Sequence, residues 1–161
     1  VHRTPWITVK AAMTLDGKIA DIQGHSKWIT SPASRAWAMK LRRAADAILV
    51  GVNTVIADDP ALTVRTGAGA KSTELGKVRI ILDPRARTPL TSRVLNDAFS
   101  ARTLIVSTEH AAKKRIQALR QKCEVILAPD ENRSIVLSWL LQKLGASGIT
   151  HLLVEIGRAH V

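Results

Sequence analysis

Residues 103–127 read TLIVSTEHAAKKRIQALRQKCEVIL, and this stretch decides the fold class. It begins and ends in short apolar runs, at 103–106 and 124–127, which predict two strands. Between them, residues 109–120 predict a helix that Ser107 or Thr108 caps and that buries Ala112, Ile116 and Leu119. A strand, a helix and a second strand of this length join parallel strands through a right-handed crossover. The stretch therefore predicts an α/β fold.

The same alternation continues on both sides of this stretch. Apolar runs at 78–82 and 151–154 predict two further strands. Residues 133–144 predict a helix with Gly145 as its stop, and its buried face would carry Val136, Leu140 and Leu144. The pattern predicts a three-layer α/β domain in which helices flank a mostly parallel central sheet.

The first half of the chain predicts two strands and a long helix. Residues 5–13 predict an interior strand with Lys10 embedded in it, and residues 47–50 predict a short buried strand. Ser31 followed by Pro32 is typical of a helix start, and the helix is predicted over Pro32–Ala44. Apolar residues recur at every fourth position of this helix and predict a buried stripe along one of its faces. They are Ala33, Trp37, Leu41 and Ala45.

Shorter elements complete the first half. Residues 15–17 predict a turn, followed by a short strand at 18–20. Asn53 or Thr54 would cap a short helix that runs to Ala57, before Pro60. Residues 66–76 predict a loop, because their glycines lack the full spacing of a dinucleotide-binding loop and no strand leads directly into them.

Composition limits the class of protein. With 161 residues, 46% of them hydrophobic, the chain is long enough for one domain with a real core. No apolar run approaches the roughly 20 residues that a membrane span needs, and the start lacks the apolar core of a signal peptide. These features predict a cytoplasmic protein that does not bind membranes.

The net charge of +11 favours an anionic partner, either nucleic acid or a phosphorylated small molecule. Only 3% of the residues are aromatic, and the basic residues are spread over different elements, so we expect no nucleic-acid partner. The single Cys123 predicts a buried strand residue without a redox role. The five histidines show no metal-ligand spacing, so we expect no metal in this domain.

Three polar clusters lie at predicted strand and helix ends, where α/β proteins bind ligands. They are KAAMTLDG at 10–17, SKWITS at 26–31 and DDPALTVR at 58–65. Each cluster joins charged or hydroxyl residues to apolar anchors. Together they indicate an enzyme.

These clusters resemble the reductase domain of the bifunctional deaminase/reductase of riboflavin biosynthesis, whose fold is similar to dihydrofolate reductase. The similarity is most specific in KAAMTLDGKIA, SKWITS and ILVGVNTVIADDPALTVR and extends over residues 5–155. The resemblance implies an NADPH-dependent oxidoreductase. It would reduce the ribosyl group of a 5-amino-6-(5-phosphoribosylamino)uracil-type pyrimidine to ribityl, with hydride delivered to C1 of the sugar.

The resemblance also implies which residues form the site. The residues expected beside the cofactor are Ala12, Trp28, Thr54, Asp58 and Pro84. The residues expected beside the substrate are Ser26, Arg42, Leu62, Arg65 and Glu155. Guanidinium groups such as Arg42 and Arg65 suit a 5′-phosphate, and a carboxylate such as Glu155 suits a ring N–H or a ribose hydroxyl. Lys10 is a candidate catalytic residue, whose cation would make C1 more electrophilic.

Both ends of the chain differ from the resembled family. Residues 1–4 are interpreted as the remnant of an interdomain linker, after a deaminase domain in which zinc would be bound. Residues 156–161 do not resemble the family's glycine-rich turn and following strands, and EIGRAHV matches one reading frame of a common sequencing adapter. We therefore expect a reductase domain over 5–155 that is incomplete at its C-terminus, a non-native tail, and no activity from this exact chain alone.

Other functions stay open. A standalone reductase of a ribosylamino-diaminopyrimidine, or a true dihydrofolate reductase, would share the fold. A basic nucleic-acid-binding module is a third reading, which a salt titration with DNA would test. The sequence also leaves room for a homo-oligomer.

Overall fold

Alternating strands and helices make up the computed structural model, which describes residues 4–19, 21–22, 29–64 and 77–157. The strands are β1 (Trp6–Ala11), β2 (Ala47–Gly51), β3 (Val78–Leu82), β4 (Thr103–Ser107), β5 (Glu124–Leu127), β6 (Asp130–Glu131), β7 (Ser134–Ile135) and β8 (His151–Ile156). The helices are α1 (Pro32–Ala44), α2 (Val52–Asp58), α3 (Arg93–Asn96), α4 (Lys113–Arg120) and α5 (Leu137–Ala146). No helix in these ranges is long and apolar enough to span a bilayer.

Six strands form one parallel sheet in the order β1-β8-β2-β3-β4-β5, which confirms the predicted parallel α/β architecture. The last strand in sequence, β8, lies between β1 and β2 and pairs with both. Within the described sheet β1 pairs only with β8, so it is an edge strand. The prediction of an interior strand for Lys10 is therefore wrong.

Two apolar cores cover the two faces of the sheet, because successive side chains of a strand point to opposite faces. In β2, Ile48 and Val50 belong to one core, and Leu49 belongs to the other. The first core includes residues of α2, α3 and α4, and the second includes Leu140 and Leu144 of α5. Helices therefore cover both faces, as the three-layer prediction requires.

Helix α1 has the predicted bounds but not the predicted burial. The Ser31 hydroxyl caps it by accepting a hydrogen bond from Ser34 N at 3.1 Å. Ala33 is exposed, Trp37 is 60% exposed and Leu41 is only partly buried, so the predicted buried stripe is wrong. Of the four residues of the predicted stripe, only Ala45, the residue that follows the last turn of α1, is fully buried. Lys40 Nζ lies 5.5 Å from the centroid of the Trp37 ring, which stays largely exposed.

Two predicted helix starts lie too early in the sequence. Helix α4 begins at Lys113 instead of residue 109, because the Thr108 hydroxyl donates to the Pro84 carbonyl at 2.9 Å and caps no helix. Ala112 is exposed, whereas Ile116 and Leu119 are buried as predicted. Helix α5 begins at Leu137 instead of residue 133, because β6 and β7 form a small antiparallel hairpin before it.

Smaller differences concern turns and caps. Helix α5 continues past Gly145 to Ala146, and Gly148, with φ +89°, follows its end. Helix α2 begins directly after Gly51 without a side-chain cap, so Asn53 and Thr54 lie inside it. The turn at residues 15–17 is confirmed and Gly17 has φ +81°, but Lys18 and Ile19 do not form a strand.

Candidate active site

A pocket of about 200 Å³ lies at the carboxyl ends of β1, β2 and β8, the edge where parallel α/β sheets bind ligands. Its lining includes seven of the predicted site residues: Lys10, Ala12, Arg42, Thr54, Asp58, Leu62 and Glu155. These residues come from β1 and the loop after it, from α1, from α2 and the loop after it, and from β8. The structure thus brings together residues from distant parts of the sequence.

Arg42 and Glu155 form a two-point ion pair in this pocket. Arg42 Nε donates to Glu155 Oε1 at 2.6 Å, and Arg42 Nη2 donates to Glu155 Oε2 at 2.7 Å. Arg42 Nη1 also donates to the Thr63 carbonyl at 3.1 Å. The two side chains are only 16% and 10% exposed. Both were predicted to contact substrate separately, but here each holds the other in place, so a bound phosphate would share Arg42 with Glu155.

Lys10 lies beside this pair. It occupies the register position opposite Glu155 on the neighbouring strand, and it is partly buried. The pocket lining therefore holds two cations, Lys10 and Arg42, and two carboxylates, Asp58 and Glu155. Its cations can contact an anionic group and stabilise developing negative charge.

Helix α2 presents a polar face to the pocket. Thr54 and Asp58 lie four positions apart, so they are neighbours on one face of the helix. Gly157 approaches this face so closely that a Cβ at position 157 would collide with the Thr54 side chain. A larger residue at this position would require Thr54 to move.

The loop after α2 forms the opposite wall of the pocket. Asp59 and Leu62 in this loop have positive φ angles of 39° and 51°, which non-glycine residues rarely adopt. Leu62 is 2% exposed, belongs to the first apolar core and also lines the pocket. The core thereby fixes one wall of the site.

Pro84 lies outside this pocket. It lines a separate depression of about 280 Å³ after the carboxyl ends of β3 and β4, together with Arg85, Thr108, His110 and Arg133. His110 Nε2 lies 3.3 Å from Asp130 Oδ2 there. Ser26, Trp28 and Arg65, and the predicted loop at 66–76, lie outside the described residues.

Sequence reasoning did not single out five lining residues: Ile19, Ile29, Pro60, Ile156 and Gly157. Four of them are apolar side chains without a chemical signature, so only their proximity to the quoted motifs could have indicated them. Among the described residues, no group of three or more His, Cys, Asp or Glu side chains could hold a metal ion.

Comparisons with known proteins agree with this fold. The family model described as the RibD C-terminal domain matches residues 5–159. The chain is 46% identical over 154 residues to riboflavin biosynthesis protein RibD of Aquifex aeolicus, covering 95% of this chain and 40% of that protein. It is 43% identical over 153 residues to the 2,5-diamino-6-ribosylamino-4(3H)-pyrimidinone 5′-phosphate reductase of Methanothermobacter thermautotrophicus, covering 95% of this chain and 68% of that protein.

A solved structure extends the similarity to three dimensions. A diaminohydroxyphosphoribosylaminopyrimidine deaminase/5-amino-6-(5-phosphoribosylamino)uracil reductase from Thermotoga maritima superposes with a TM-score of 0.73 at 30% identity. The match covers 96% of this chain and 39% of that one, so the chain spans about two fifths of the length of such relatives. The family match, the sequence identities and the shared fold agree: the chain belongs to the RibD C-terminal domain family.

Proposed function

We propose that this chain is an NADPH-dependent reductase domain of riboflavin biosynthesis. In the full-length protein, this domain would reduce the ribosyl group of a 5-amino-6-(5-phosphoribosylamino)uracil-type pyrimidine to a ribityl chain. The observation that carries the proposal is the convergence of Lys10, Arg42, Thr54, Asp58 and Glu155 on one pocket of a RibD-type sheet. The names of the relatives support the substrate class.

The substrate side of the pocket is formed by Arg42, Leu62 and Glu155. The Glu155 carboxylate holds Arg42 in a fixed orientation through two hydrogen bonds, so little side-chain freedom is lost when an anion binds. A guanidinium group has five N–H donors, and three contacts to Glu155 and Thr63 leave capacity for a phosphate or ribose oxygen. Ser26 and Arg65 complete this side in the proposal.

The cofactor side is formed by Ala12, Thr54 and Asp58, with Trp28 added from the second motif. The residues present fit a nicotinamide nucleotide, because Thr54 offers a hydroxyl that can donate and accept, and Ala12 leaves space for a flat ring. Pro84 would contact a more distant part of the cofactor, where Arg85 and Arg133 in the second depression offer cations suited to phosphate. NADPH, when bound, supplies the hydride.

The chain contributes positioning and charge to this reaction. In the opened sugar, C1 is doubly bonded to the amine nitrogen; C1 accepts the hydride and the nitrogen accepts a proton. Lys10 is the proposed cation beside C1, which draws electron density from that double bond as the hydride arrives. Glu155 pairs with Arg42, and Asp58 is a second carboxylate in the same lining, so the two carboxylates offset the charges of Lys10 and Arg42 in the pocket.

A second candidate substrate is the pyrimidine that has not been deaminated. The observation that favours it is the 43% identity to an archaeal diaminopyrimidine reductase, of which this chain covers 68%. In the first candidate, a deaminase domain that binds zinc is covalently linked upstream, as the 40% coverage of RibD proteins suggests. The cytoplasmic location stays a prediction.

The test is an NADPH oxidation assay on the full-length gene product with three substrates: the deaminated pyrimidine, the diaminopyrimidine and dihydrofolate. We expect turnover with a phosphoribosylaminopyrimidine and none with dihydrofolate. Absence of turnover with both pyrimidines would overturn the proposal. Lys10→Met should lower kcat, and Lys143→Met, an exposed lysine on α5, is the matched control. An unchanged kcat in Lys10→Met would remove Lys10 from the chemistry.

A further inference from the structure

Arg79, the second residue of β3, is a charged side chain buried in the interior. It is 1% exposed, although arginine is rarely buried without a specific partner. A buried ion pair is often no more stabilising than well-packed apolar residues of similar size. The partners of Arg79 therefore indicate what its charge is used for.

Arg79 ties three segments together through four hydrogen bonds. Its Nη1 donates to Asp97 Oδ2 at 2.6 Å and to the Ala61 carbonyl at 3.0 Å. Its Nη2 donates to Asp97 Oδ1 at 2.9 Å and to the Val94 carbonyl at 2.9 Å. Arg79 thus links β3 to α3 and to the loop at residues 59–64, which we call the 59–64 loop.

The 59–64 loop is held by a second guanidinium from the pocket side. Arg42, itself paired with Glu155, donates to the Thr63 carbonyl at 3.1 Å. Two arginine–carboxylate pairs therefore bind carbonyls two residues apart, Ala61 from the core and Thr63 from the pocket. A third anchor joins Asp59 Oδ1 to the backbone N–H of Arg93 at 2.9 Å.

The conformation of the 59–64 loop requires such anchors. Asp59 and Leu62 adopt positive φ angles, which cost energy in a non-glycine residue and persist only where the surroundings enforce them. Leu62 lines the pocket, and the Thr63 carbonyl is one of the groups that orient Arg42. A shift of this loop would move the wall of the pocket and the guanidinium together.

We propose that Arg79 is a positioning residue for the substrate side of the pocket. It acts through the Ala61 carbonyl, and Asp97 fixes its orientation. It fixes the 59–64 loop so that Leu62 and Arg42 are in place before substrate binds. The kinetic part of this proposal rests on the proposed function, whereas the structural part does not.

The test compares Arg79→Lys with the parent in the full-length gene product. Lysine keeps the charge but loses the planar fork that reaches Asp97 and two carbonyls at once. Loss of a hydrogen bond to a charged group predicts about tenfold faster amide exchange in the 59–64 loop and about a tenfold higher KM for the pyrimidine. Exchange in helix α5, which packs with the second core on the other face of the sheet, and kcat should stay unchanged. Arg120→Lys, exposed in the last turn of α4, is the matched control.

The outcomes separate positioning from general stability. Equal acceleration of exchange in α5 and in the 59–64 loop would mean a general structural role and would overturn the proposal, as would unchanged exchange in the loop. If Arg79→Lys does not fold, Asp97→Asn is used, since it keeps the shape of the carboxylate and should give the same pattern more weakly. If the parent does not reduce the pyrimidine, the proposed function fails, while the exchange measurement still decides the role of Arg79.

Discussion

The Arg42–Glu155 pair gives the sharpest prediction for stability. Its two hydrogen bonds of 2.6 and 2.7 Å join side chains that are 16% and 10% exposed. Removing one partner of a buried pair leaves an uncompensated charge, and the low residual exposure allows little hydration. We therefore expect Arg42→Met and Glu155→Leu each to lower the free energy of unfolding by about 3 kcal/mol.

The double variant Arg42→Met/Glu155→Leu shows whether the single variants are unstable because they leave a buried charge unpaired or only because they lose contacts. It leaves neither member of the pair without its partner, so its cost should be only about 2–3 kcal/mol, which includes the lost bond to the Thr63 carbonyl. Additive effects would instead cost about 6 kcal/mol, so the expected coupling energy is about 3 kcal/mol. The assay measures the free energy of unfolding by urea for the parent, the two single variants and the double variant in the same buffer.

The matched control is Arg43→Met, an exposed arginine next to Arg42 in the same turn of α1, which should change the unfolding free energy by less than about 0.5 kcal/mol. A double variant as unstable as the sum of the two single variants would refute the coupled pair. So would two single variants that match the control.

Three further predictions test other parts of the structure. Asp46 Oδ2 accepts hydrogen bonds from the Thr150 hydroxyl and from the N–H groups of Thr150 and His151. These bonds lower the pKa of the Asp46 carboxyl. The contribution of Asp46 to the free energy of unfolding is therefore present above pH about 4 and is lost on further acidification. Asp46→Ala should cost about 1 kcal/mol at neutral pH, with a shallower loss of stability in acid, measured by urea unfolding from pH 3 to 7; an equally steep acid loss would contradict this role. Burial raises the pKa of the Cys123 thiol from 9.0 to about 11, so alkylation at pH 8, followed by mass spectrometry, should be about 100-fold slower than for an unperturbed thiol, and a rate equal to that of a free peptide thiol would disprove it. Trp37→Ala should change the stability of this chain by less than about 1 kcal/mol because the ring is 60% exposed, whereas Leu140→Ala in the core should cost about 2–5 kcal/mol; equal losses would show that Trp37 is packed after all.

Most of the central sheet could be predicted because its strands are short runs rich in β-branched and other apolar residues. Strand β3 has the predicted bounds, and α1 begins at the predicted proline because Ser31 and Pro32 combine two local start signals. Burial of α1 could not be predicted in the same way, since periodicity marks an apolar face but does not supply the element that covers it. The hairpin of β6 and β7 was missed because Asn132 and Arg133 turn with positive φ angles without the glycine that usually signals such a turn.

The site was predicted by motif rather than by geometry. Residues such as Thr54 and Asp58 follow a strand end, so the topology brings them to the pocket. The pairing of Arg42 with Glu155 had no local signal, because 113 positions separate them and only the insertion of β8 beside α1 brings them together. Arg79 was read as part of an apolar strand, and nothing in VRIIL indicates that its side chain reaches Asp97 and the Ala61 carbonyl.

The place of β8 between β1 and β2 has a consequence for how the chain folds. Strand β1 precedes the other described strands in sequence, but its partner in the described sheet is β8, the furthest of them along the chain, and the Thr8 hydroxyl lies 2.9 Å from His151 Nε2 across 143 positions. Closing so long a loop costs entropy before the contact returns any stability, which slows folding. During synthesis, strands β2, β3, β4 and β5 can pair with one another as they emerge from the ribosome. Strand β1 stays unpaired until β8 has also emerged. Among the described strands, β1 is therefore the one that pairs latest, and the Lys10 side of the pocket forms only once β8 is in place.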